Sequence, residues 1–230
     1  MKRIAALVLT LVLVFAMVSC YDASKKSEGV MTYDEYAAAA LKAPVVIEAF
    51  VQAKQSWWDN KATVYLQDPN GGYFVYEMTC TEEDYAKLTV GTKIKVTGFK
   101  TEYKGEIEID SGATFEIIND GTWIAKPTNV TNLLGKDELI EKQNMLVLFK
   151  DMTVKSVEYK GGEPGDEIYV TFTKGDAEYS FCVERYLTAP DTDVYKAVGE
   201  LKAGDVVDVE GFLYWYNGAN PHITNITVVG

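Results

Sequence analysis

The chain has 230 residues, 34 acidic against 22 basic side chains and a formal charge of -12, a balance that opposes the phosphate neutralisation on which nucleic-acid affinity rests. Its one histidine, His222, excludes a two-histidine metal centre and would have to serve alone as the base of any nucleophile couple. In "NPHIT" it reads as an ordinary surface or strand-edge residue.

In chain order, the first element is a leader. "MKR" gives a positive start and "IAALVLTLVLVFAMV" an apolar run that ends at Ser19 and Cys20, the pattern of a secretion signal. Met17, Val18, Ser19 and Cys20 resemble a bacterial lipobox, and the resemblance implies cleavage before Cys20 and acylation, with palmitate among the acyl chains, at that residue. Acyl chains contribute about 0.8 kcal/mol per buried methylene, so the expected address is the bacterial cell membrane or outer membrane, outside the cytoplasm. "YDASKKSEG" then completes a polar, lipidated tether, 20–29.

Thr32 and Glu35 have capping-box spacing ahead of "YAAAALKA" and predict a short helix. Val45, Ile47, Ala49, Val51 and Ala53 alternate as in a strand with one buried face. Trp57 and Trp58 follow in a loop, then a strand over 62–67, a turn at "DPNGG" and a strand over 73–78. Glu82, Glu83 and Asp84 read as loop or helix-start charges. "KLTVGTKIKVTGF" is the fourth strand, bent at Gly98, because glycine in a strand commonly marks a bulge or corner. "EIEID" and "ATFEII" close the set.

The same series then returns. "ELKAGDVVDVEGF" repeats the phrase of 87–99 more than a hundred residues later, so that Leu88, Gly91, Ile94, Val96, Gly98, Phe99, Tyr103 and Gly105 map at constant spacing onto Leu201, Gly204, Val207, Val209, Gly211, Phe212, Tyr216 and Gly218. "IYVTFTKGDAEYSFCVE" answers "ATVYLQDPNGGYFVYEM", "LVLFKDMTVKS" answers "VVIEAFVQAKQ", and "GKDELIEKQ" takes the place of the helix. "TAPDTDVYKAVG" is a longer loop peculiar to the second copy.

Five strands bent by glycine in each copy predict an all-β chain of two tandem five-stranded OB-fold-like barrels, each preceded by a short helix. "ATVYLQDPNGGYFVYEM" with "LTVGTKIKVTGF" resembles OB-fold domains of the tRNA-anticodon and helicase type, and those of secreted bacterial nucleases and gut bacterial lipoproteins. The resemblance runs from 45 to 229, strongly in copy one and more loosely in copy two. The expected organisation is a leader, 1–19; the tether; a first barrel, 30–120; a linker, 121–130; and a second barrel, 131–230. A sandwich of immunoglobulin type is the structural alternative, without that fold's core cysteines and tryptophan.

The sequence offers no catalytic constellation, no metal-ligand spacing and no cofactor motif, so an enzyme is not expected. Cys80 and Cys182 read as buried, unpaired thiols. With Val64, Leu66, Tyr73 and Val75 pointing into barrel one, Tyr65, Phe74 and Tyr76 point out. They form either a ligand-binding face, with Trp57 and Trp58 at its rim, or a surface covered by the preceding helix, the other barrel or a lipid-facing partner. Copy two places Tyr169, Thr171, Ser180 and Cys182 at the equivalent positions and crowds Tyr214, Trp215 and Tyr216 onto its fourth strand. The expected function is non-catalytic binding of a peptide, glycan or envelope protein. The alternative, single-stranded nucleic acid, has only a modest row of Lys93, Lys95, Lys100 and Lys104 to support it.

Overall fold

The computed structural model describes residues 22–229. The leader and Cys20 lie outside the described residues. Residues 25–27, within the stretch expected to be a tether, dock on barrel one. Lys26 donates to the carboxylate of Asp68 and to the Glu48 carbonyl, the Ser27 amide reaches Glu48 Oε2 at 3.2 Å, and Lys93 Nζ reaches the Lys25 carbonyl at 3.1 Å. Asp68 and Glu48 are fully buried, and a buried carboxylate requires a partner. Residues 25–27 supply part of that partnership.

The capping box forms as expected. The Glu35 amide donates to Thr32 Oγ1 at 3.2 Å and the Thr32 amide to Glu35 Oε2 at 2.8 Å, starting helix α1, Tyr33–Ala38. The helix is shorter than its alanine run because Lys100 Nζ caps its end, donating to the carbonyls of Tyr36, Ala37 and Ala39 at 3.0, 2.7 and 2.9 Å. Lysine at a helix C-terminus satisfies orphan carbonyls and complements the dipole.

Barrel one contains β1 Pro44–Lys54, β2 Lys61–Gln67, β3 Gly72–Thr79, helix α2 Glu82–Lys87, β4 Thr92–Tyr103, β5 Glu106–Ile109 and β6 Thr114–Thr122. The hydrogen-bonded order β1-β2-β3-β5-β4 closes back on β1, and β6 extends along β4. The β3–β5 pairing is parallel and the others are antiparallel. Val45, Ile47, Val64, Leu66, Tyr73, Val75, Ile94 and Val96 fill its core, the inward set that alternation assigned.

Barrel two repeats the plan with β8 Leu146–Tyr159, β9 Ile168–Lys174, β10 Ala177–Val183, helix α3 Asp193–Gly199, β11 Val206–Phe212 and β12 His222–Val228. The order β8-β9-β10-β12-β11 closes on β8, with the β10–β12 pairing parallel. The chain is mostly β, with few short helices, in a tandem OB-fold arrangement. The expected linker is partly structured: β7, Thr128–Asn129, pairs in parallel with β8. "GKDELIEKQ" forms a 3-10 helix, Asp137–Lys142. The stretch read as a longer loop carries α3, which sits between the third and fourth strands as α2 does in copy one.

Gly98 and Gly211 mark the bends. A Cβ on Gly98 would stand 2.6 Å from Ile109 Cγ2 and 2.9 Å from Ala113 Cβ, where the fifth strand of barrel one breaks into β5 and β6. In copy two the register slips between Glu210 and Gly211, and a Cβ there would lie 2.3 Å from the His222 carbonyl oxygen. Cys80 and Cys182 are free and buried, and burial pushes the Cys80 thiol up to about 11 and Cys182 to about 12.

Candidate binding clefts at the barrel seam

Alternation aimed Tyr65 and Phe74 out of barrel one, but barrel two covers them. Tyr65 is 0% exposed and Phe74 3%, the second of the two expected outcomes, cover by the other barrel, which corrects their assignment as ligand-binding residues. They join Phe212, Leu146, Leu187 and Tyr214 in a small core between the barrels. The Tyr65 ring stacks on Phe212, centroids 4.4 Å apart, and Phe74 meets Tyr214 edge-on at 5.4 Å. His222, expected at the surface or a strand edge, begins β12 and is buried in the same seam. It shares a 2.9 Å hydrogen bond through Nδ1 with the Tyr65 hydroxyl and stacks on Tyr214 at 4.3 Å. Burial drives its pKa down to about 3, so the ring is neutral at physiological pH.

Polar contacts bind the same seam. Trp215 N donates to Glu106 Oε2 at 2.8 Å, Gln143 Nε2 to the Gly105 carbonyl at 2.8 Å, Asn144 Nδ2 to the Ile107 carbonyl at 3.0 Å and Leu146 N to Gln67 Oε1 at 2.8 Å. Glu106 is fully buried, and desolvation raises its carboxyl to about 9.

Tyr76, Trp57 and Trp58 do come together. With Tyr186 they line a cleft of about 500 Å³. Trp58, Tyr76 and Tyr186 are 66%, 41% and 52% exposed and lie together on one cleft, and contiguous exposed apolar surface marks interaction sites. Sequence sets this geometry locally. Asp59 and Asn60, both at positive φ, make a tight turn in which Lys61 N donates to the Trp58 carbonyl at 2.9 Å, residue types that tolerate the left-handed region. Trp57 is held by its indole Nε1, which donates to the Cys80 carbonyl at 2.9 Å.

Tyr186 belongs to barrel two and was absent from the sequence-derived set. The Ser56 amide donates to its carbonyl at 2.8 Å, fixing the 184–188 loop against the β1–β2 loop. Lys61 crosses the cleft floor with Nζ 2.8 Å from Glu77 Oε2 and 5.7 Å from the Trp58 ring centroid. Exposed rings beside hydroxyl and amide groups of Gln55, Ser56 and Thr63 can stack a flat ligand and hydrogen-bond its edge.

The lysine row expected on barrel one does not form. Lys93 is buried, 3.3 Å from Glu48 Oε2, and Lys100 is committed to α1. Lys95 pairs with Glu116 at 3.0 Å. Among the described residues no group of three or more His, Cys, Asp or Glu side chains is placed to hold a metal ion.

No protein-family model matches the chain, and no curated protein matches it. Among solved structures it is similar to a murine DNA-binding protein bound to double-stranded DNA, at 12% identity over 81% of this chain and 98% of that one, with a TM-score of 0.38. It is also similar to the p202 HIN1 domain in complex with a 12-mer double-stranded DNA, at 13% identity over 84% and 96%, with a TM-score of 0.37. Identity and TM-score this low carry no argument about what this chain binds.

Proposed function

We propose that the protein is a non-catalytic binding lipoprotein of the bacterial envelope, anchored outside the cytoplasm by acyl chains on Cys20. Its ligand, a glycan, peptide or envelope protein, enters the cleft of Trp57, Trp58, Tyr76 and Tyr186. The observation that carries this reading is the convergence of exposed rings from both barrels on one cleft. It lies at the first loop and the second and third strands of an OB barrel, the region such barrels use for oligonucleotides and oligosaccharides. Docking of residues 25–27 on barrel one would hold the cleft close to the membrane surface. Single-stranded nucleic acid is less well served, because two of the four lysines offered for it are buried and the chain is strongly acidic.

The reading is tested by titrating intrinsic tryptophan fluorescence with oligosaccharides, peptides and oligo(dT). Trp58→Ala should weaken the ligand found by about tenfold or more, the loss expected if the ring stacks as aromatic side chains do on bases, ~1–3 kcal/mol. An unchanged affinity would remove the cleft. Labelled palmitate should enter the chain and be lost in Cys20→Ala; retention of label in that variant would remove the anchor.

A further inference from the structure

A second cavity of about 410 Å³ opens beside the first and shares Gln55 and Tyr76 with it as a common wall. Phe74 of barrel one also lines it, and Tyr169, Tyr214, Tyr216 and His222 come from barrel two. Tyr169 stands on the outer face of β9, the copy-two position corresponding to the faces of barrel one's strands that the seam buries. Two buried atoms of residues lining this cavity make no hydrogen bond, Glu167 Oε2 and Asn220 Oδ1; the first is ion-paired with Lys160, which leaves Asn220 Oδ1 as the one without a partner. A buried acceptor left unsatisfied is costly, so an unpaired one at a cavity wall points to a missing donor.

The cations along both cavities are already spent. Lys61 is paired with Glu77 at 2.8 Å and Lys160 with Glu167 at 2.9 Å. The Glu184 carboxylate accepts the amides of Tyr186 and Leu187 at 3.1 and 2.8 Å. The groove therefore offers rings, amides and hydroxyls and no unpaired cation, and its one carboxylate outside an ion pair, Glu184, is held by backbone amides. A polyanion finds no counter-charge there. An extended peptide would look for an open strand edge, whereas the β2 and β3 strands beneath the cleft are paired on both sides within a closed barrel. Sugar rings offer apolar faces for stacking and hydroxyls for planar amide groups, which is what this lining complements.

We infer that the two cavities are one continuous binding groove across the barrel seam, and that its occupant is an uncharged oligosaccharide long enough to touch both barrels. The inference rests on the cleft reading above and deepens it. Each cavity alone falls in the range of a small-ligand site, roughly 300–1,000 Å³, so a disaccharide fills the first and a longer chain reaches the second.

The test uses the full chain, with cello-, xylo-, manno- and malto-oligosaccharides of two and six units measured by calorimetry. For the linkage that binds, the hexaose should be tighter than the disaccharide by about tenfold, equivalent to ~1.4 kcal/mol. Tyr169→Ala should erase that advantage and leave disaccharide affinity unchanged, and Asn220→Ala should act in the same direction. Trp58→Ala should weaken both lengths. Equal affinity for the two lengths, or a hexaose indifferent to Tyr169→Ala, overturns the continuous groove while leaving the cleft standing if Trp58→Ala still matters. Binding of a peptide but of no saccharide overturns the choice of ligand alone. Binding that ignores Trp58→Ala overturns cleft and groove together.

Discussion

Tyr65 holds two kinds of contact at once, a ring stacked on Phe212 and a hydroxyl hydrogen-bonded to His222. Tyr65→Phe keeps the first and deletes the second, leaving a buried imidazole nitrogen without its partner, at a cost of ~1–3 kcal/mol. For a chain of this length each kcal/mol lowers the melting temperature by about 2–4 °C. Thermal denaturation at neutral pH should show that loss, and an unchanged melting temperature would mean that the bond contributes nothing. The direction of Tyr65 was legible in the sequence because strand alternation leaves only two choices. Whether a ligand or the other barrel meets it was not. Phe212, which covers it, maps onto Phe99, and Phe99 is exposed. Repeat positions share a backbone and a barrel-facing direction, but their outward neighbours are set by how the second barrel docks, which periodicity does not encode.

At the scale of elements, what the sequence states most clearly is what the backbone demands most strictly. The two glycine bends were readable because only a residue without a Cβ fits them, and they differ in what it would meet. At Gly211 the obstacle is the His222 backbone carbonyl, while at Gly98 it is the side chains of Ile109 and Ala113. Side chains give way more readily than a strand, so Gly211→Ala should destabilise more than Gly98→Ala, with overpacking costs of ~1–3 kcal/mol or above. Urea denaturation of the two variants compares them directly, and equal midpoints would contradict this account of the bend. The helices were harder to see because each is short. Yet Thr81 Oγ1 accepts the Asp84 amide at 3.1 Å and Thr192 Oγ1 the Tyr195 amide at 3.2 Å, the same N-cap spacing in both copies. That shared signal would have found α3, and with it the loop before it that delivers Tyr186 to the cleft.

Across the whole molecule the repeat suggested two modules on a linker, whereas the seam makes them one body, and Glu106 gives that body a pH dependence. Burial is the largest cause of its raised pKa, from an ordinary 4.5 to about 9, and the charge of Glu108 adds to it. The native state holds this proton more tightly than the unfolded chain does. Its contribution is therefore full below pH 4.5 and is lost as pH rises through about 9. Glu108, itself raised to about 7 mainly by burial, gives a loss of the same sign that is complete earlier. Glu106→Gln keeps an acceptor for the Trp215 amide and cannot ionise. Its melting temperature should stay near that of the unaltered protein at pH 5 and exceed it increasingly toward pH 9, with the Glu108 slope common to both. A constant difference across pH would show that Glu106 does not titrate in the seam. Both proteins should melt in a single calorimetric transition, because the carboxyl that ionises in barrel one is the acceptor for barrel two, and loosening that junction exposes the Tyr65, Phe74 and Phe212 core to water on both sides at once.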